Sequence, residues 1–226
     1  MRYRYLVPLF LLLPVIAFSQ DILTAPRFFD SVSERYGEIN DYVAEVAIQR
    51  EEGDMVGTLY YRAPNLLRID FSEPEEQVLV SDGENLMIYV PAYNVVLQQD
   101  LRGRRRSAET VASMASEEGL TLLRSNYSIA YLDDPDPVRL DEENNELVTK
   151  LRLTWRSTNE GFRQLTLSIS DDLLIRRIEG TTINYAEIRF DFENVRINQN
   201  IPATRFEYDP PASANTYSNF LFDPEA

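Results

Sequence analysis

YYRAPNLLRIDFSEPEEQVLVSDGENLMIYVP, residues 60–91, holds four short apolar runs separated by turn formers. Leu67, Ile69 and Phe71 alternate with Leu66, Arg68 and Asp70, the two-residue period of a strand with two unlike faces. Pro64-Asn65, Glu73-Pro74 and Ser81-Asp82-Gly83-Glu84 interrupt the runs where a chain reverses direction. Strands this short, joined this tightly, pair with their chain neighbours, so the stretch predicts a curved antiparallel meander ending at Pro91.

The pattern extends in both directions. Upstream, Tyr42, Ala44, Val46 and Ile48 share one face of a strand, and Glu51-Glu52-Gly53-Asp54 turns it into a second strand ending at Arg62. Downstream, residues 94–101 form a possible further strand. Alternation resumes at Leu147, Leu151, Leu153 and Trp155, then at Leu165, Leu167 and Ile169, at Leu174, Arg176 and Ile178, and at Ile188, Phe190, Phe192 and Val195. Two helices interrupt the strands. Thr24-Ala25-Pro26 opens the first, which carries Phe28, Phe29, Val32 and Tyr36 along one stripe and ends at Gly37. Ser107 caps the second, over residues 108–118, with Val111, Met114 and Ala115 on one face and Gly119 as its terminator. About ten or eleven strands and two helices, without a Pro/Gly/Ser linker, predict one mainly β domain over residues 20–226. A sheet that wide curls into a barrel or half-barrel.

The N-terminus reads as an export signal. Arg2 and Arg4 precede an apolar run from Leu6 to Phe18, and Ala17-Phe18-Ser19 offers small residues at −3 and −1, which predicts cleavage before Gln20 and a signal peptide over residues 1–19. The net charge is −15 and becomes −17 on cleavage, because the signal carries two arginines and no acid. Such an acidic chain is a poor match for nucleic acid. With no cysteine there is no disulfide framework, and with no histidine neither a Ser-His-Asp triad nor an ordinary zinc site can form. Asp133, Asp134, Asp136 and Asp141, Glu142, Glu143 lack the spacing and glycine of a calcium loop, so no metal and no cofactor is expected. Carboxylate catalysis remains formally open and requires an acid pair flanking a polar cleft.

Gly57-Thr58-Leu59-Tyr60-Tyr61-Arg62, Pro64-Asn65-Leu66-Leu67-Arg68, Pro74, Val78-Leu79-Val80-Ser81-Asp82-Gly83, and Leu86, Tyr89 and Pro91 resemble the outer-membrane lipoprotein carrier (LolA) family. The similarity is dense from Gly57 to Leu101. It continues loosely to Ile197-Asn198-Gln199-Asn200-Ile201-Pro202, Phe206 and Pro210-Pro211. The resemblance implies an unclosed antiparallel barrel of about eleven strands with helices over its concave face, and no enzymatic activity. It implies a periplasmic carrier that takes acylated lipoproteins from an inner-membrane ABC-type extractor to an outer-membrane acceptor, working as a monomer. A lipid- or lipoprotein-sensing regulator of envelope stress on the same fold is the alternative.

Leu67, Ile69, Phe71, Leu86, Ile88, Leu151, Leu153, Trp155, Phe190 and Phe192 are the candidate cargo lining, with the choice of inward face open at this point. Phe28, Phe29, Val32, Val111 and Met114 are the candidate lid residues, on short helices expected to dock loosely. The resemblance implies an arginine that often stands before the Pro-Asn pair and secures the lid. Here that position is Ala63, which leaves Arg62 and Arg68 as latch candidates, although a one-residue step along a strand reverses the face. Arg102, Arg104, Arg105 and Arg106 form a basic cluster suited to an acidic partner or anionic headgroups.

Overall fold

The computed structural model describes residues 23–101, 115–142, 145–158 and 160–220. Six strands run up and down in chain order: β1 (Asp41–Arg50), β2 (Met55–Arg62), β3 (Leu66–Glu73), β4 (Val78–Ser81), β5 (Asn85–Val90) and β6 (Val95–Asp100). The second half supplies β7 (Tyr127–Tyr131), β8 (Val138–Arg139), β9 (Leu147–Trp155), β10 (Phe162–Ser170), β11 (Ile175–Thr182), β12 (Glu187–Ile197) and β13 (Asn215–Ser218). All thirteen belong to one sheet, ordered β13-β6-β5-β4-β3-β2-β1-β12-β11-β10-β9-β7, with β8 added to β9. The pairing of β1 with β12 joins the two halves, and the sheet does not close, since β13 and β7 end the path.

The residues 60–91 fold as their alternation predicts. Leu67, Ile69 and Phe71 are buried on the face that carries the helices, the inner face, while Arg68 and Asp70 lie on the outer one. Two strands had no counterpart in the turn pattern, the two-residue β8 and β13. β13 is polar, all four of its residues are exposed, and it pairs parallel with β6 through backbone bonds.

Two departures from strict alternation have visible causes. A register shift between Ser168 and Ile169 leaves Arg176 as an extra residue opposite them, so Ile175 and Ile178 both reach the inner cluster, although simple parity placed them on opposite faces. Leu147, expected beside Leu151 and Leu153, is 56% exposed at the strand start, and Val148 is buried outside the main apolar cluster.

Helix α1 (Ala25–Gly37) forms as read, with Pro26 in its first turn; Thr24 makes no side-chain cap bond there. Most of the span expected for the second helix, residues 108–118, lies outside the described residues. The described helix is α2 (Glu117–Asn126), and Ser107, Val111 and Met114 lie outside the described residues. Ser116 caps it by accepting a bond from the Gly119 amide, and Glu117 and Glu118 fill the first turn, so Gly119 sits inside the helix start and does not end it. The stripe continues through Leu120 and Leu123. Among the described residues, no helix is long and apolar enough to cross a membrane.

Candidate functional site

The inner face is one continuous apolar cluster. Eight of the ten candidate lining residues, Leu67, Ile69, Phe71, Leu86, Leu151, Leu153, Phe190 and Phe192, are buried in it. Ile88 and Trp155 pack against its margin while partly exposed. Phe29, Val32 and Tyr36 of α1 are buried in the same cluster, and Phe28 packs at its edge against Tyr131, ring centroids 6.2 Å apart. The helix is therefore seated more firmly than its length suggested, since Phe29 and Val32 are fully buried. In this form side chains of α1, and Leu120 and Leu123 of α2, are buried in one cluster with those of the sheet's inner face.

The helices are secured by tyrosines. Tyr42 on β1 donates to the Ala115 carbonyl (2.8 Å), just before α2, in buried surroundings. Tyr36, near the end of α1, accepts from the Ile175 amide (3.1 Å) on β11. Tyr61 stacks on Tyr42 with centroids 5.2 Å apart and lies under Ser116, Glu117 and Glu118. Arg124 of α2 pairs with Asp30 of α1 (2.7 Å), tying the helices to each other. Gly37 meets Glu117 where the helices approach, and a Cβ there would come within 3.2 Å of that carboxyl. Sequence reading put Tyr42 on the right face but gave its hydroxyl no role, because its partner lies 73 residues away.

Burial pushes the Tyr36 and Tyr61 hydroxyls up to about 12, Glu118 and Glu117 adding to the effect at Tyr61, and raises Tyr42 well above its ordinary range. Their folded values lie above the unfolded value near 10, so the stability tied to the neutral hydroxyls is complete below about pH 10 and is lost as pH rises through about 12. We expect cooperative alkaline unfolding in that window, with these tyrosines ionising only as the chain unfolds. Stepwise tyrosinate absorbance in a chain still folded by circular dichroism would contradict it.

Among the described residues, neither latch candidate bonds to a helix. Arg62 and Arg68 lie on the outer face, one residue out of phase with inward Tyr61 and Leu67. Arg62 donates to the Ile201 carbonyl (3.0 Å) and Arg68 to the carbonyls of Arg205 (3.1 Å) and Glu207 (3.0 Å). They hold the chain after β12, which crosses the outer face of the first meander. Asp70 bridges Arg68 and Arg205, and the Arg205 guanidinium sits 4.1 Å from the centre of the Tyr60 ring. Buried Asp41 accepts from the Gln199 (2.6 Å) and Ile201 (3.2 Å) amides and fixes the start of this strap. Beneath it, Val43, Val80, Ile201 and Phe206 form a second, smaller apolar cluster. Arg102, Arg104, Arg105 and Arg106, the candidate docking cluster, lie outside the described residues.

The turn residues have a packing reason of their own. Asn65, in the β2–β3 turn, lies against Gly83 in the β4–β5 turn, where a Cβ would fall 2.0 Å from the Asn65 amide nitrogen. Gly83 also has φ 86, a conformation suited to glycine. Pro-Asn and Asp-Gly are therefore one interlocked pair of turns. Asp82 completes it by accepting from the Glu84 (2.8 Å) and Asn85 (2.7 Å) amides.

Residues 47–209 match the family model described as outer membrane lipoprotein carrier protein LolA. The chain belongs to the LolA family. A relative from Methylococcus capsulatus, named outer-membrane lipoprotein carrier protein, is 24% identical over 228 aligned positions, covering 96% of this chain and 98% of its own. Among solved structures, an uncharacterized conserved protein from Thermus thermophilus superposes with TM-score 0.56 at 15% identity, over 86% of this chain and 98% of that one. MucB in the Pseudomonas aeruginosa MucA/MucB complex has the same fold, with TM-score 0.50 at 12% identity, over 82% of this chain and 61% of that one. The described ties of its helices are the tyrosine bonds and the Arg124–Asp30 pair.

Proposed function

We propose that the chain is a periplasmic, non-enzymatic carrier that shields the acyl chains of lipoproteins on its inner face between an inner-membrane extractor and an outer-membrane acceptor. The observation that carries this reading is the single apolar cluster spanning the inner face of both sheet halves and roofed by α1. Burying a methylene is worth about 0.8 kcal/mol, so one sixteen-carbon chain carries about 12 kcal/mol and does not cross water uncovered. A contiguous face of Leu, Ile, Phe and Met supplies that shelter without a reactive group. The export reading of residues 1–19 supports the compartment, and the family membership supports lipoprotein as the cargo class.

Because α1 occupies the inner face in this form, cargo enters as the helix swings away, the tyrosine bonds and the Asp30–Arg124 pair being the ties that break. The natural chain has no cysteine, so Phe28→Cys with Tyr131→Cys, joined by a cleavable thiol cross-linker, would fasten α1 to β7 alone. The linked protein is expected to lose acyl-chain uptake and to regain it on cleavage; undiminished uptake while linked would defeat the lid. The sensing alternative separates from the carrier on depletion. Loss of a carrier strands lipoproteins at the inner membrane, whereas loss of a sensor alters transcription and leaves their distribution intact.

A further inference from the structure

We propose that Arg163 is an anion-binding site at the rim of the inner face, taking the carboxylate or phosphate of an acyl-bearing amphiphile. The inference rests on the carrier reading for the acyl part and adds the chemistry of the polar end.

Two local irregularities build the site. The β10–β11 pairing slips between Phe162 and Gln164, leaving Arg163 as the extra residue of a bulge, a device that re-aims a side chain. In the β11–β12 turn, Tyr185 is held at φ 67, an uncommon conformation for an aromatic residue, by its amide bond to the Thr182 carbonyl (3.1 Å). Together they place the Arg163 guanidinium 4.2 Å from the Tyr185 ring centre and 5.4 Å from that of Trp155. The Phe162 ring lies over Gly180, where a Cβ would come within 2.6 Å of it.

Among the described residues, the guanidinium is engaged only by these rings, and no hydrogen bond or ion pair takes its N–H donors. Arg68, Arg176, Arg177 and Arg205, by contrast, are all matched to carboxylates. Contact with ring faces leaves the in-plane N–H donors directed outward, and a guanidinium already held loses less freedom on binding an anion. A free fork-shaped cation is therefore presented by a chain of net charge −15. Trp155 and Phe162 also pack against the main apolar cluster, while Tyr185, 69% exposed, presents its ring to the guanidinium. Cation and apolar surface meet at one place, which fits a ligand joining an anion to a hydrocarbon chain. A bare anion uses only the first part and a neutral lipid only the second.

Trp155 is the sole tryptophan, so its fluorescence reports on the site directly. The full mature chain would be titrated with dibromostearate, its methyl ester and a brominated lysophosphatidate, whose bromines quench a nearby indole. The wild type is expected to half-saturate with the anionic chains at about tenfold lower concentration than with the ester, the scale of a charge-assisted hydrogen bond. Arg163→Gln should abolish that preference and Arg163→Lys should keep part of it. The order of stearate and lysophosphatidate tells carboxylate from phosphate. Equal affinity for acid and ester in the wild type, or a preference that survives Arg163→Gln, overturns the site. Inorganic phosphate competing as well as the lipids would reduce it to a simple anion site, and binding to anionic vesicles without any quenching preference would make it a membrane contact; both overturn the amphiphile. No quenching by acid or ester overturns the carrier reading itself, whereas ester binding without preference overturns the Arg163 inference alone.

Discussion

Phe29→Ala is expected to lower the stability of the free protein by about 3–5 kcal/mol, the range for removing a fully buried aromatic ring, and to make its stability strongly dependent on acyl ligand. Phe29 is fully buried in the inner cluster, at the centre of the α1 stripe. Truncation leaves an apolar void beneath the helix, and an apolar void of ring size stays dry and accepts a hydrocarbon guest. A ligand that binds only the folded state adds stability by mass action. An acyl chain should therefore raise the unfolding midpoint of the variant more than that of the wild type, in which α1 must first be displaced. Urea titrations with and without stearate measure both terms. An equal ligand effect on the two proteins would make α1 ordinary core and not a movable roof.

Asp191→Ala should cost about 3 kcal/mol, because it strips the main partner from a buried arginine. Arg177 and Asp191 are both more than nine-tenths buried on the outer face, and Asp191 also accepts from Arg189 (2.6 Å). Arg177 holds the segment after β8 as well, donating to Asp141 (2.9 Å). The loss of Asp191 leaves that cation to half-exposed Asp141, so the segment around Leu140 should loosen before the rest. Hydrogen exchange at the Leu140 amide, which donates to the Glu146 carbonyl (2.9 Å), reads this out. Adding Arg177→Met should recover most of the loss, since an apolar side chain of similar length needs no partner. A double variant as unstable as the single one would show that packing, and not the stranded charge, sets the cost.

What was legible in the sequence was what repeats along it. Residues 60–91 gave strand period and turn chemistry together, and alternation grouped the residues that share a face on β3, β9, β10 and β12, while which face turns inward was decided only by where the helices lie. The misread elements are those where a local residue has two meanings. Gly119 is as good a helix end as a helix start, and only the Ser116 cap decides between them. Ile175 and Arg163 sit at bulges, where a single extra residue reverses parity. The latch was beyond local reading. Arg62 and Arg68 could be assigned an outward face by parity, but their partners at Ile201, Arg205 and Glu207 are joined to them only by the tertiary fold. The Tyr42–Ala115 bond is equally long-range.

The path of the C-terminal segment has a consequence for how the molecule comes into being. Ile201 and Phe206 lie on the outer face, β13 runs along the β6 edge, and Phe220 packs against the inner cluster, so this segment rounds the rim of the sheet from one side to the other. A chain is made N-terminus first, and the backbone groups along the β6 border stay unmatched until residues 215–218 arrive. A product that stops short of residue 215, nascent or C-terminally clipped, carries a bare strand border next to a greasy surface, the combination that recruits other chains. Residues 215–220 thus act as the hem of the fabric: they add little to the core, yet without them the whole cloth is free to stitch itself to its neighbours.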